Sequence, residues 1–164
     1  MSSQLKNLSS TNKKSVPSAK GFRFGIVASE WNTEITEALY SGAYKTLIEF
    51  GAVSKNISRK NVPGSFELPL AAQFFLETKK VDAVLCLGCV IQGETKHFDF
   101  ICQAVSQGIM DLNLKYKKPV IFGVLTTNSL QQAKDRSGGK HGNKGDEAAV
   151  TAIKMLHLLH KKGR

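Results

Sequence analysis

The chain has 164 residues, enough for one α/β domain with a substantial hydrophobic core, and its 41% hydrophobic and 22% charged residues are typical of globular proteins. No apolar run reaches the roughly 20 residues of a membrane-spanning helix, and the N-terminus has no secretory signal pattern, so we expect a cytoplasmic protein without membrane contact. The net charge of +10 is concentrated near the chain ends, where the basic residues lack the interleaved aromatic residues of a nucleic-acid stacking surface. These basic residues are Lys6, Lys13, Lys14, Lys20, Lys161, Lys162 and Arg164.

The three cysteines predict free thiols rather than a disulfide framework. They are an odd number among mostly apolar neighbours: Cys86, Cys89 and Cys102. Cys86 and Cys89 form a CxxC spacing, but they lie in an apolar run that predicts a strand, where residues three apart point to opposite faces. We therefore expect them not to share a metal ion.

The first 21 residues are rich in Ser, Asn and Lys and predict a flexible basic tail, which leaves residues 22–164 as one domain. The run FRFGIVAS then predicts a short strand. Asn32 or Thr33 is expected to cap a helix whose apolar residues recur every three or four positions up to Gly51, the expected helix end.

Two more strands and a helix are predicted in the middle of the chain. A polar strand around residues 57–62 is typical of a sheet edge. Ser65 is expected to cap a second helix, in which Pro69 is tolerated because it falls in the first turn. The nearly continuous apolar run over residues 83–91 predicts a central parallel strand.

The second half of the chain predicts a helix over about 97–115, a strand over 119–125 and a short helix over 130–137. The glycine-rich loop SGGKHGNKG then leads into a final helix. Its residues at helical spacing are Ala149, Ile153, Leu156 and His160. The alternation of strands and helices predicts an α/β three-layer sandwich, with a parallel, flavodoxin-like four-stranded sheet flanked by helices on both faces.

In such a sheet, ligands bind beyond the carboxyl ends of the strands, where the connecting loops meet. Trp31 in one of these loops is suited to stack on a planar heterocycle, and Glu67 to accept hydrogen bonds from a polyol. The turn at 93–95 offers backbone N–H groups at a helix start, which suits an anion, and His97 begins that helix as a candidate general base. Each has an ordinary structural alternative: a lid on the core, a helix-favouring acid, a plain turn or a solvated histidine.

Basic residues surround the glycine-rich loop: Arg136, Lys140 and Lys144. Arginine suits bidentate phosphate recognition and lysine offers a mobile charge, although a solvated basic loop would have the same composition. No spacing predicts a Ser-His-Asp triad, paired catalytic carboxylates or a metal-ligand cluster, which disfavours hydrolases and metalloenzymes.

Four segments occur in the order and spacing of the lumazine synthase family: VPGSFELPLAA, LGCVIQGETKHFDFI, VIFGVLTTNSLQQA and GNKGDEAA. The resemblance runs from about residue 25 to residue 156. Members of this family condense 5-amino-6-(D-ribitylamino)uracil with 3,4-dihydroxy-2-butanone 4-phosphate to 6,7-dimethyl-8-ribityllumazine, phosphate and water, the penultimate step of riboflavin biosynthesis. The substrates carry their own amine nucleophile and phosphate leaving group, so the resemblance implies a transferase without a cofactor or metal.

The resemblance implies roles for individual residues. Trp31 matches the aromatic residue that stacks on the pyrimidine ring, His97 matches the proposed catalytic proton-transfer base, and Arg136 matches a catalytic residue that binds phosphate. The other residues matched to pyrimidine or ribityl binding are Asn32, Ser65, Phe66, Glu67, Val90, Ile91, Phe122 and Lys144. The residues matched to the phosphate turn are Glu94 and Thr95.

The resemblance also implies an oligomer. In this family the neighbouring subunit brings the residues matched by Phe122, Arg136 and Lys144 to the site, so a homopentamer is expected. The loop between Arg136 and Lys144 has no insertion of the kind found in members that stop at pentamers, which favours an icosahedral shell of twelve pentamers. Association with riboflavin synthase is a further expectation, whereas nucleic acid and membranes are not expected partners.

The sequence departs from the family pattern in two loops. Gln92 stands where Arg is usual, and Glu94 stands where Gly or Ala is common. A carboxylate beside a phosphate site repels it unless the side chain turns outward, so these changes bear on phosphate affinity more than on the reaction. In the glycine-rich loop, Gly139 and His141 replace the commoner Thr and Ala, which affects loop flexibility.

Two other functions stay open from the sequence. A non-catalytic flavin binder on the same scaffold would use Trp31 to stack on a tricyclic ring. A nucleic-acid-associated protein would use the basic chain ends, and its binding would be sensitive to salt.

Overall fold

The computed structural model describes residues 15–78 and 81–161. Its middle layer is a parallel sheet of four strands in the order β2-β1-β3-β4. The strands are β1 (Phe24–Ser29), β2 (Ile57–Val62), β3 (Ala83–Ile91) and β4 (Val120–Thr127). This arrangement confirms the predicted α/β class and the parallel sheet, and it places β2 at an edge, as its polar residues predicted.

Within residues 15–78 and 81–161, five α-helices cover the two faces of the sheet: α1 (Thr33–Glu49), α2 (Leu68–Glu77), α3 (His97–Tyr116), α4 (Leu130–Lys134) and α5 (Lys144–Lys161). Helices α1 and α5 pack together on one face, whereas α2 and α3 pack on the other. Short 3-10 turns lie at Ser54–Asn56 and Ser65–Glu67. Among the described residues, no helix combines the length and the apolar character that crossing a membrane requires.

Two apolar clusters hold the three layers together, one on each face of the sheet. Leu39 and Ile153 are fully buried in the α1/α5 cluster, and Leu68 is fully buried in the α2/α3 cluster. Burying each such side chain stabilises the fold by about 1.5–3 kcal/mol. Because side chains alternate along a strand, Cys86 joins one cluster and Cys89 the other, as predicted.

Residues 15–21, which the composition predicted as part of a flexible tail, include side chains that pack into the core. Val16 and Ala19 are buried in the α1/α5 cluster, and the Ala19 N–H donates a 2.7 Å hydrogen bond to the carbonyl oxygen of Phe50. These partners lie far along the chain, so the local composition of the tail did not reveal them. Residues 1–14 of the predicted tail lie outside the described residues.

Two local predictions need correction. Ser65 does not cap α2 directly, because a 3-10 turn separates it from the helix. Helix α4 ends at Lys134 rather than near residue 137, because the following residues form a hairpin of β5 (Ser137–Gly139) and β6 (Gly142–Asn143) inside the glycine-rich loop. The final helix is confirmed: His160 lies in α5 at the predicted spacing, and its exposed ring makes an edge contact with Phe22.

Candidate active site

A cavity of about 770 Å³ lies at the carboxyl edge of the sheet, where the loops after β1, β2 and β3 meet. Its lining residues are Trp31, Asn32, Gly64, Ser65, Phe66, Glu67, Cys89, Val90, Ile91, His97 and Ile101. The volume is in the range of sites for drug-sized ligands, and most of the lining is apolar with a few polar groups. The cavity therefore lies at the edge of the sheet where the sequence predicted a ligand site.

The loop after β1 presents an aromatic ring at the mouth of the cavity. Trp31 is 74% exposed, and its backbone N–H donates a 3.2 Å hydrogen bond to the carbonyl oxygen of Pro63. Asn32 immediately precedes α1 and has a left-handed conformation, with φ of 59°. Its side chain does not cap the helix; its amide nitrogen Nδ2 instead donates to the carbonyl oxygen of Cys89, 3.0 Å away. The Trp31 loop is thus attached to the neighbouring strands at both sides.

The turn after β2 is held by its own carboxylate. Glu67 Oε2 accepts a 3.0 Å hydrogen bond from the Gly64 N–H, and a carboxylate keeps lone pairs for further donors such as polyol hydroxyls. Ser65 Oγ is buried and has no hydrogen-bond partner among the described residues. A Cβ atom added to Gly88 would lie 2.6 Å from Ser65 Oγ, so the turn sits directly on the glycine backbone of β3.

The end of β3 leaves backbone groups available at the cavity wall. The pairing of β1 with β3 stops at Leu87, whereas the pairing of β3 with β4 continues to Ile91. The residues of β3 after Leu87, including Val90, are therefore paired with β4 on one side but not with β1 on the other. Asn32 uses the Cys89 carbonyl on this stretch. Peptide N–H and C=O groups need hydrogen-bond partners. A planar heterocycle with alternating donors and acceptors along its rim can provide such partners at this edge of β3.

His97 is the first residue of α3, and its exposed side chain lines the cavity. Its backbone N–H donates a 3.4 Å hydrogen bond to Thr95 Oγ1. Glu94 and Thr95 precede it in an exposed loop beside the cavity, although neither belongs to the lining. The positive end of the α3 dipole points toward this loop, which favours a bound anion.

Three predicted site residues lie away from this cavity within one chain. Phe122 is 41% exposed on β4, and Arg136 and Lys144 flank the hairpin in the glycine-rich loop; none of the three belongs to the cavity lining. Lys144 Nζ lies 2.6 Å from Glu147 Oε2, and Arg136 Nη1 donates a 3.0 Å hydrogen bond to the Gln132 carbonyl. A single chain therefore brings together only part of the predicted site.

Three lining residues were missed at the level of sequence. Gly64 and Cys89 had no polar side chain to suggest a role. Ile101 follows His97 by four residues, a spacing that places both on the same helix face and that could have identified it. Burial raises the pKa of the Cys89 thiol to about 11, so this thiol stays protonated near neutral pH and is a poor nucleophile.

In the part of the chain that the structure describes, no group of three or more His, Cys, Asp or Glu side chains is placed to hold a metal ion. The ionisable side chains of the cavity lining are one histidine, one carboxylate and the Cys89 thiol. The arrangement can bind a planar ring, accept hydrogen bonds from hydroxyls and transfer a proton.

Comparison with known proteins identifies close relatives. A sequence model of the family described as 6,7-dimethyl-8-ribityllumazine synthase matches residues 21–160, which include all four strands of the sheet and every cavity-lining residue. Curated relatives of that name are 64% identical in Cytophaga hutchinsonii (95% of this chain, 98% of the relative) and 59% identical in Flavobacterium johnsoniae (96% and 83%). One from Parabacteroides distasonis is 54% identical (96% and 99%). These relatives favour the enzyme over the flavin binder and the nucleic-acid-associated protein.

Proposed function

The chain belongs to the 6,7-dimethyl-8-ribityllumazine synthase family, and we propose that the cavity at the carboxyl edge of its sheet is the pyrimidine half of the active site. The chain is a transferase of riboflavin biosynthesis that condenses 5-amino-6-(D-ribitylamino)uracil with 3,4-dihydroxy-2-butanone 4-phosphate to 6,7-dimethyl-8-ribityllumazine. The observation that carries the assignment of the cavity is the combination of an exposed Trp31 ring with the unpaired backbone edge of β3.

The pyrimidine substrate occupies the cavity in this proposal. Trp31 stacks on its ring, while the backbone of Val90 and Ile91 addresses its polar edge. The ribityl chain runs along the turn after β2, where the Glu67 carboxylate accepts hydrogen bonds from its hydroxyls. Asn32, Ser65 and Phe66 complete this wall.

The phosphate substrate binds beside the start of α3, with Glu94 and Thr95 contributing backbone N–H groups. The substrate amine attacks the ketone carbon and water leaves, which gives an imine. His97 then accepts a carbon-bound proton as the C–O bond to phosphate breaks, which leaves an enol. Return of the proton to the terminal carbon of this enol gives a methyl ketone, and the ribitylamino nitrogen attacks that ketone to close the ring with loss of a second water. Holding the two substrates together supplies much of the acceleration, because both reacting groups belong to the substrates.

The site is completed by a second copy of the chain in a homopentamer. Among the described residues, none of the cavity-lining side chains is Lys or Arg, so the phosphate needs cations from elsewhere. Arg136 of the neighbouring copy supplies the phosphate contact, and Phe122 and Lys144 close the pyrimidine pocket. Exposed Phe66 and Phe122 are apolar surfaces that such an interface would cover. A shell of twelve pentamers, an association with riboflavin synthase and a cytoplasmic location stay predictions.

The test is an assay in which the two substrates are mixed with the purified assembly, while lumazine fluorescence and phosphate release are followed together. His97→Ala is expected to lower turnover at saturating substrate by roughly 10²-fold or more. His160 lies near the C-terminal end of α5 and is not part of the cavity lining. The variant His160→Ala serves as the matched control and is expected to leave turnover unchanged. Normal turnover by His97→Ala would remove His97 from the proton-transfer role.

A further inference from the structure

The segment from Arg136 to Lys144 is a closed hairpin whose two ends are side by side. Ser137 pairs with Asn143 across β5 and β6, and the Lys144 N–H donates a 2.9 Å hydrogen bond to the Arg136 carbonyl. The two cationic residues are therefore carried by one small unit of backbone. Their relative placement depends on how that unit is fixed to the rest of the fold.

A single side-chain amide joins this unit to two helices. Asn143 Nδ2 donates to the carbonyl oxygen of Ala38 in α1 at 2.9 Å and to that of Ser137 in β5 at 3.3 Å. Asn143 Oδ1 accepts a 2.8 Å hydrogen bond from the Gly145 N–H in the first turn of α5. Only an amide offers both the donors and the acceptor that these contacts use.

The packing around Asn143 leaves little room for another arrangement. A Cβ atom on Gly42 would lie 2.6 Å from Asn143 Nδ2, and a Cβ atom on Gly145 would overlap the carbonyl oxygen of Leu39. Helices α1 and α5 therefore approach each other at glycine positions, with the amide wedged between them. Close packing of this kind fixes the orientation of the hairpin relative to both helices.

We propose that Asn143 is a positioning residue for the phosphate substrate, because it fixes the hairpin that presents Arg136 to the neighbouring site. This inference rests on the proposed function, in which Arg136 binds phosphate across the interface. Asn143 touches no substrate itself. Bidentate recognition of phosphate by Arg requires a fixed guanidinium plane, and a displacement of about 1 Å can cost roughly 10²-fold in rate.

The test compares two asparagines that have the same kind of structural role at different places. Asn143→Ser keeps a hydroxyl that can accept from the Gly145 N–H as a helix cap, but the short side chain cannot reach Ala38 and Ser137. Asn113→Ser is the matched control, because Asn113 Nδ2 also donates to two carbonyl groups and its Oδ1 accepts from the Val120 N–H. Asn113 lies at the opposite end of the sheet from the cavity, beside the beginning of β4.

Asn143→Ser is expected to raise the KM for the phosphate substrate about tenfold. The KM for the pyrimidine is expected to change by less than about twofold, because Lys144, which closes the pyrimidine pocket, belongs to the first turn of α5 and stays paired with Glu147. Inorganic phosphate should also inhibit this variant about tenfold more weakly than the parent. Both Asn143→Ser and Asn113→Ser are expected to lower the unfolding midpoint by a similar amount. Only Asn113→Ser is expected to leave both KM values unchanged. If Asn143→Ser fails to assemble, Asn143→Asp keeps the size and the acceptor and should give the same split of KM values.

Equal changes in both KM values, or a result for Asn143→Ser that matches Asn113→Ser, would overturn the positioning role. The variant Arg136→Ala separates this failure from failure of the proposed function. If Arg136→Ala raises the KM for the phosphate substrate and Asn143→Ser does not, only the positioning role is lost. If neither variant raises it, the assignment of phosphate binding to this hairpin is wrong as well.

Discussion

The side-chain amide of Asn32 donates a 3.0 Å hydrogen bond to the carbonyl oxygen of Cys89, and this contact ties the loop after β1 to the free edge of β3. Asn32 has a φ of 59°, a left-handed conformation that asparagine tolerates better than most residues. The preceding residue, Trp31, is thereby held at the cavity mouth. The loop conformation and the placement of the proposed stacking ring depend on the same side chain.

Substitutions of Asn32 should separate backbone strain from the hydrogen bond. Asn32→Gly keeps the left-handed conformation and loses the bond, whereas Asn32→Ala loses the bond and adds strain of about 1–2 kcal/mol. We therefore expect the free energy of unfolding of Asn32→Ala, measured by urea denaturation, to be about 1–2 kcal/mol lower than that of Asn32→Gly. Equal stabilities of the two variants would show that the conformation is not strained. Trp31 is the only tryptophan, so its fluorescence reports the loop directly.

Replacement of Trp31 should weaken binding of the pyrimidine and leave binding of the phosphate substrate unchanged. Stacking of a base on an aromatic side chain contributes about 1–3 kcal/mol, so Trp31→Ala should raise the KM for the pyrimidine by roughly 5- to 150-fold. Trp31→Phe keeps an aromatic face and should recover most of the loss. Steady-state kinetics with each substrate varied in turn measures the effect, and a rise confined to the phosphate substrate would contradict the stacking role.

A methyl group at position 88 should disturb the turn that we assign to the ribityl chain. The Cβ atom of Gly88→Ala would meet Ser65 Oγ at 2.6 Å and Leu68 Cδ1 at 2.9 Å. Overpacking of this kind costs about 1–3 kcal/mol, and we expect a lower unfolding midpoint together with a raised KM for the pyrimidine. For stability, Gly93→Ala is the control, because a Cβ atom there meets nothing within 4 Å. Unchanged stability of Gly88→Ala would mean that the turn can move away freely.

The stability of the protein should depend on the ionisation of Asp146. Burial raises the pKa of this carboxyl above its ordinary value of 3.8, and the nearby Glu147 and Glu49 charges raise it further, against a hydrogen bond from Thr46 and the charge of Lys45. The folded state therefore binds this proton more tightly than the unfolded state does. The stability that protonated Asp146 contributes is fully present below pH 3.8 and is lost as pH rises through the folded pKa.

Asp146→Asn removes the charge at every pH, so it is expected to be more stable than the parent near neutral pH. The difference should shrink as pH falls toward 3.8, because the parent then becomes neutral at this position too. Urea denaturation at several pH values measures the difference in free energy of unfolding between the variant and the parent. The contributions of the other titrating groups are common to both proteins and cancel in this difference. A difference that does not change with pH would contradict the raised pKa.

Short-range features of the sequence were enough to predict much of this fold. The apolar periodicity predicted α1, α3 and α5 and the parallel strands, and the polar composition of residues 57–62 predicted an edge strand. The rule that ligands bind beyond the carboxyl ends of parallel strands then led to Trp31 and His97, both of which line the cavity. These features depend on neighbours within a few residues, which a sequence displays directly.

Other features depended on partners far along the chain, which only the tertiary structure brings together. Val16 and Ala19 are ordered because α1 and α5 offer them an apolar surface, although their own neighbours predicted a tail. Asn143 contacts Ala38 across 105 positions, and no local pattern distinguished it from a loop asparagine. The open backbone edge of β3 arises from the unequal lengths of its pairings with β1 and β4. Composition and periodicity are local properties, whereas these contacts are decided by how the layers pack.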